Sequence, residues 1–121
     1  MPKTIMVVDD EKEVLNEMEA WLGDQGYRVV TANNAEEGLQ KLDLNSAHLV
    51  LLDINMPKKD GLAMLSDLKR NAKTAAIPVI MLTARVETSS ILEAMEMKAC
   101  DYMTKPFAED ELLRLIRRYE T

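Results

Sequence analysis

Four short apolar runs in this chain each end in polar side chains suited to holding a phosphoryl group and a metal ion. Ile5-Met6-Val7-Val8 runs into Asp9-Asp10, and Leu49-Val50-Leu51-Leu52 runs into Asp53. Val79-Ile80-Met81-Leu82 runs into Thr83, and Tyr102-Met103-Thr104 runs into Lys105-Pro106. If these runs are parallel strands of one sheet, their carboxyl ends lie together, where open α/β sheets bind ligands. Three carboxylates, a hydroxyl and an ammonium then face one crevice. Crowded carboxylates repel one another, so such a site must take up protons or bind a cation. Mg²⁺ suits it, because that ion prefers hard oxygen ligands and retains several waters. A phosphoryl group on Asp53 would present charged oxygens, for which Lys105 supplies a point charge and Thr83 a hydrogen bond.

Each residue also has a plainer reading. Asp9 and Asp10 would serve as cap and first-turn acids of a helix. Thr83 is an ordinary β-branched strand residue, and Lys105 an ordinary surface charge. Taken together, at the ends of consecutive strands, they favour the phosphoryl reading. Lys105-Pro106 is in addition a candidate cis peptide bond, placed to aim the lysine inward.

The elements that must position these groups follow from periodicity. Val14, Leu15, Met18, Trp21 and Leu22 mark one face of a first helix, with core packing the default for Trp21, and Gly23 and Gly26 are expected to end it. Residues 27–32 read as a second strand, and Asn34 as the N-cap of a helix that turns Ala35, Leu39 and Leu42 inward. Residues 55–61, rich in turn formers, follow the third strand. Leu62, Leu65 and Leu68 mark the third helix, and Ile77-Pro78 opens the fourth strand. A fourth helix is expected near 87–97 and a fifth over 108–119, with Leu112, Leu115, Ile116 and Tyr119 on one face. Five β-α units in strict alternation predict an α/β fold with a doubly wound parallel sheet, formed as one domain over residues 1–121.

Composition narrows the function classes. With 47% hydrophobic and 30% charged residues the chain is an ordinary globule. Its formal charge of −6 opposes nonspecific attraction to nucleic acid or anionic membrane. A single cysteine, Cys100, excludes an internal disulfide and suits a reducing compartment. Apolar stretches fall far short of a membrane span, and no secretory-signal pattern opens the chain, so a cytoplasmic location is expected.

The residues resemble the response-regulator receiver family, the CheY-like phosphoacceptor modules of two-component signalling. The resemblance rests on Val7-Val8-Asp9-Asp10-Glu11, Leu51-Leu52-Asp53-Ile54-Asn55-Met56-Pro57, Gly61, Thr83-Ala84, and Asp101-Tyr102 through Lys105-Pro106-Phe107. It implies a flavodoxin-like (βα)5 fold with strand order 2-1-3-4-5. It implies that Asp53 is the phosphoacceptor, receiving a phosphoryl group from a histidine kinase or histidine phosphotransfer protein. Asp10, Asp53 and the Asn55 carbonyl would ligate Mg²⁺, with Asp9 acting mainly through a metal-bound water. Thr83 and Tyr102 match the family's switch pair, which would alter the face made by the fourth helix, fifth strand and fifth helix. Asn55 and Arg85 would flank an attacking water, and kinase specificity would lie on the first helix at Glu11, Lys12, Asn16 and Glu19. Such a module is a switch rather than an enzyme, with slow self-dephosphorylation at most.

Some positions depart from the family pattern. Lys98 replaces a common glycine, Cys100 and His48 replace common acids, and Leu115 replaces an arginine of winged-helix members. If the backbone at Lys98 needs positive φ, lysine there costs about 1 kcal/mol relative to glycine. His48 reads as a turn residue, having no partner spaced for a metal.

Two other functions fit parts of the sequence. One is a receiver-like interaction module that is never phosphorylated, against which the full set Asp9, Asp10, Asp53, Thr83 and Lys105 argues. The other is a Mg²⁺-dependent phosphohydrolase with an Asp nucleophile. That class carries two aspartates separated by one residue after its first strand, whereas these are adjacent, and it needs a cap segment that 121 residues do not accommodate.

Overall fold

The structure, a computed structural model, describes residues 2–44, 46–54, 61–83 and 88–120. Within these, strands and helices alternate in ten elements: β1 (Thr4–Val8), α1 (Lys12–Asp24), β2 (Arg28–Ala32), α2 (Ala35–Leu44), β3 (Leu49–Asp53), α3 (Gly61–Arg70), β4 (Val79–Thr83), α4 (Thr88–Glu96), β5 (Asp101–Thr104) and α5 (Glu109–Tyr119). All strand pairs are parallel and the order is β2-β1-β3-β4-β5, as the resemblance implied. Residues 55–60 and 84–87 lie outside the described set, so Asn55, Arg85 and the turn-rich loop receive no structural account.

Strand side chains alternate between two cores, as a period of two requires. Met6, Val8, Val50, Leu52, Val79 and Met81 pack on one face, with Ala35 of α2 and Met64, Leu65 and Leu68 of α3. Ile5, Val7, Leu49, Leu51, Ile80 and Leu82 pack on the other, with Leu15, Met18 and Leu22 of α1 and Leu112 and Ile116 of α5. β1, β3 and β4 are buried along their whole length, which explains why their sequences are runs rather than alternations.

Local signals set the helix ends, with one correction. The Asn34 side-chain oxygen accepts the Glu37 N–H at 2.8 Å, the expected N-cap of α2. Gly26, at φ 94°, makes the turn after α1, but Gly23 lies inside the helix and ends nothing. An exposed helical glycine costs only about 1 kcal/mol, which the buried Leu22 and Met18 nearby offset. Pro78 precedes β4, where its missing N–H is not needed, and its carbonyl accepts from Val50 N–H at 3.0 Å.

Two departures from the family pattern acquire physical meaning. Lys98 does adopt positive φ, 73°, at the end of α4. Its N–H reaches Met95 O, and Ala99 N–H reaches Ala94 O, both at 3.0 Å. Together these bonds form a Schellman turn with lysine where glycine fits best. His48 extends the β1–β3 pairing: its N–H donates to Thr4 O at 2.8 Å, and its Nδ1 accepts from Thr4 N–H at 3.0 Å. The ring thus satisfies an N–H of a strand end. No helix among the described residues is long and apolar enough to cross a membrane.

Candidate functional site

Strand order and register bring the sequence-selected residues to one edge. Val8 pairs with Leu52, so Asp9 and Asp53 emerge from neighbouring strands, at the point where the chain reverses its direction of travel across the sheet. Asp53 stands opposite Leu82, and Thr83 opposite Thr104. Lys105 N–H donates to Thr83 O at 2.7 Å, which fixes the lysine beside the threonine. The Lys105-Pro106 bond is cis, as the dipeptide's place after a strand suggested.

One carboxylate oxygen from each of Asp9, Asp10 and Asp53 lies within 4.8 Å of the others. Asp9 is fully buried, Asp53 is 4% exposed, and Asp10 is exposed. The plainer capping reading of Asp9 and Asp10 does not hold, because Glu11 occupies the N-cap position of α1. Asp9 instead accepts the Glu11 N–H at 3.0 Å with one oxygen and the Lys105 ammonium at 2.6 Å with the other. Lys105 also lies 3.9 Å from Asp53. Burial alone would depress the Lys105 ammonium. The hydrogen bond to Asp9 and the charges of Asp53, Asp9 and Glu11 outweigh it and hold the group above its ordinary value.

This donor set fits a small hard cation. Three carboxylates against one ammonium leave negative charge in a buried corner, and the exposed flank at Asp10 leaves room for coordinated water. Thr83 is buried at the same edge, 1% exposed.

Tyr102 stands apart from the acidic corner. Its side chain is 41% exposed and lines an open cavity of about 790 Å³ with Met103, Phe107, Arg114, Leu115 and Arg118. A second groove, about 620 Å³, runs from Glu11 and Lys105 along Val14, Met18, Trp21 and Phe107 between α1 and α5. Trp21 therefore packs on the core and lines a surface groove at once. Of the residues expected to carry kinase specificity, Glu11, just before α1, lines this groove, while Lys12, Asn16 and Glu19 are exposed on the helix outside it. Sequence reasoning brought Lys105 to this corner but did not single out Asp9 as its nearer carboxylate. No local pattern reports a contact across 96 positions.

Comparison with known proteins agrees with this geometry. The family model described as "Response regulator receiver domain" matches residues 5–117. The chain is 35% identical over 120 residues to the transcriptional regulatory protein KdpE of Staphylococcus aureus, covering 99% of this chain and 51% of that protein. It is 38% identical over 112 residues to the alkaline phosphatase synthesis transcriptional regulatory protein PhoP of Bacillus subtilis, covering 93% and 46%. The solved structure of the chemotaxis protein CheY4 of Vibrio cholerae superposes with a TM-score of 0.93 at 25% identity, covering 98% of this chain and 99% of that one. The chain belongs to the response regulator receiver domain family, whose members are signalling switches of two-component systems. It spans about half the length of the curated relatives it matches.

Proposed function

We propose that this chain is a single receiver domain that acts as a phosphoacceptor switch, with Asp53 as the residue modified. The supporting observation is the corner itself, where Asp9, Asp10 and Asp53 oxygens converge with the Lys105 ammonium in reach of Asp53. The phosphoryl donor is a histidine kinase or a histidine phosphotransfer protein, and the cation is Mg²⁺. Asp10 and Asp53 would hold the cation, together with the carbonyl of Asn55, and Asp9 would act mainly through a water on it. When bound, it neutralises charge on the transferring group and its oxygens.

The remaining chemistry belongs to the chain. An Asp53 oxygen attacks phosphorus in line, forming an O–P bond as the P–N bond to the donor imidazole breaks. The electron pair returns to the imidazole nitrogen, which takes a proton. Lys105, held at the edge by its contact with Asp9, offers an ammonium to the new phosphoryl oxygens. The Thr83 hydroxyl donates to another. That attraction draws Thr83 toward Asp53 and lets Tyr102, now on the outer surface, rotate inward. The face formed by α4, β5 and α5 changes accordingly and passes the signal to a downstream partner. The phosphoryl group does this by favouring one of two existing conformations through better contacts in it. Water attack on the acyl phosphate, flanked by Asn55 and Arg85, resets the switch. The domain works in the cytoplasm, binds no nucleic acid itself, and turns over no metabolite.

Intact mass after incubation with a small acyl phosphate and Mg²⁺ tests this reading. One phosphoryl adduct is expected, dependent on Mg²⁺ and absent from Asp53→Asn. No adduct on a folded, Mg²⁺-binding protein would favour an interaction module, and phosphate release without an adduct would favour a hydrolase.

A further inference from the structure

Gly61 opens α3 in direct contact with the end of β3. A methyl group at this position would lie 2.1 Å from the Asp53 carbonyl oxygen, 2.9 Å from the Asp53 carbonyl carbon and 2.8 Å from Ile54 Cα. All three neighbours are backbone atoms, so no side chain can swing aside. The Gly61 N–H also donates to Ile54 O at 3.0 Å, and Ile54 N–H donates to Leu82 O at 2.9 Å. Residues 54 and 61 thus form a closed neck that is itself tied to β4.

From this contact we infer that Gly61 is a positioning residue for Asp53: its bare Cα lets the helix start seat the phosphoacceptor backbone against β4. The inference rests on the reading of Asp53 given above, and it assigns the glycine a task that its place in the motif does not explain. Restoring ordinary contact around an added methyl requires a displacement of about 1.3 Å. Neither side can absorb that freely. β3 is buried throughout and paired on both edges, and α3 is anchored by buried Met64, Leu65 and Leu68. Close-packed interiors pass such strain on rather than dissipating it. The displacement therefore reaches the Asp53 carboxylate, one oxygen of which lies within 4.8 Å of oxygens of Asp9 and Asp10. Misplacement by roughly 1 Å can slow an oriented reaction by about a hundredfold.

Gly38 provides an internal contrast. A methyl there would meet Met64 Cε at 2.8 Å and Val8 Cγ2 at 3.3 Å, the first being the end of a flexible side chain. Gly38→Ala should therefore disturb packing between α2 and α3 without moving the acidic corner.

The test compares the full chain with Gly61→Ala and Gly38→Ala, each also built on Lys98→Gly as a stabilised background. Folded protein is confirmed by denaturation, and Mg²⁺ affinity is read by calorimetry. Backbone amide shifts of Asp9, Asp10, Asp53, Thr83 and Lys105 are recorded without any ligand. Folded Gly61→Ala is expected to bind Mg²⁺ about tenfold more weakly, to form the Asp53 adduct about a hundredfold more slowly, and to show displaced site amides. Gly38→Ala is expected to lose stability alone. Gly61→Ala with parental site shifts and affinity would overturn the inference, whatever its melting point, as would equal site changes in Gly38→Ala. If the parent forms no adduct, the phosphoacceptor reading fails separately, while the amide shifts still decide the role of Gly61.

Discussion

Lys105 and Asp9, 96 positions apart, meet at 2.6 Å in a corner where Asp9 has no exposure to solvent. The ammonium stands 3.9 Å from Asp53, so before any phosphoryl transfer it serves the buried carboxylate first. Lys105→Met would leave Asp9 with the Glu11 N–H and, among the described residues, no cation. Removing one member of a buried pair costs more than the pair contributes, here about 2–3 kcal/mol given the remaining hydrogen bond and the partial exposure of Lys105. Urea denaturation without divalent cation reads the loss, and Asp9→Asn in the same chain should recover part of it. An unchanged midpoint would show that the contact contributes nothing.

Mg²⁺ should stabilise the parent chain, because three convergent carboxylates repel one another until a cation is taken up. At a free concentration about a hundred times its dissociation constant, the gain is about 2.7 kcal/mol. Thermal denaturation with Mg²⁺ and then with excess chelator measures it. Asp53→Asn should lose most of the increment, and an increment of equal size in that variant would place the ion elsewhere.

Lys98→Gly should raise stability by about 1 kcal/mol. The residue sits at φ 73° in a Schellman turn, where an L side chain is strained and glycine is not. The gain falls short of the full conformational penalty because glycine also enlarges the entropy of the unfolded chain. Lys98 is exposed and remote from the acidic corner, so adduct formation should not change. A lower urea midpoint would mean that the lysine side chain makes a contact worth more than the strain.

Asp9, Asp53, Thr83 and Lys105 were legible because parallel strands end together, so residues following apolar runs share an edge whatever the intervening distance. Asn34 was legible because an N-cap is decided within three residues. Gly23 misled because glycine punctuates only when the surrounding packing allows it, and α1 is held by residues on either side. The partner of Lys105 was beyond reach because three carboxylates offer the same chemistry and only their coordinates rank them. Gly61 was legible only as a member of the motif, since a glycine does not reveal which backbone atoms lie against its Cα.

Cys100 should be inert. Burial first, and the neighbouring Asp101 charge second, push its thiol up to about 11, against the smaller opposing effect of Lys69. The thiolate is the reactive form, so little is present at neutral pH. A disulfide reagent at pH 7.5 should label native protein far more slowly than urea-unfolded protein, in which the thiol returns to about 8.5. Comparable rates would mean that the thiol is open to solvent and that its surroundings do not suppress ionisation.

Tyr27 and Lys3 both bind Glu120, the residue that follows α5. The Tyr27 hydroxyl donates to the Glu120 carboxylate, and the Lys3 ammonium donates to the Glu120 main-chain oxygen at 3.2 Å. Tyr27 was expected to begin β2, but it stands just before it, where its backbone N–H donates to Leu22 O at 3.1 Å, closing α1 rather than joining the sheet. Burial first, then the hydrogen bond and charge of Glu120, push the phenol up to about 12, with Arg117 opposing. Because the folded value is raised, the folded state favours the neutral phenol. Its contribution is whole below the ordinary value of 10 and is lost as pH rises through about 12. Tyr27→Phe should therefore cost about 1 kcal/mol at neutral pH. Between pH 10 and about 12 parent and variant should converge, because the phenol of the unfolded parent ionises first and this favours unfolding of the parent alone. Urea midpoints measured at pH 7, 9 and 11 test both statements. A difference that persists undiminished at pH 11 would show that Tyr27 acts through packing of its ring and not through Glu120.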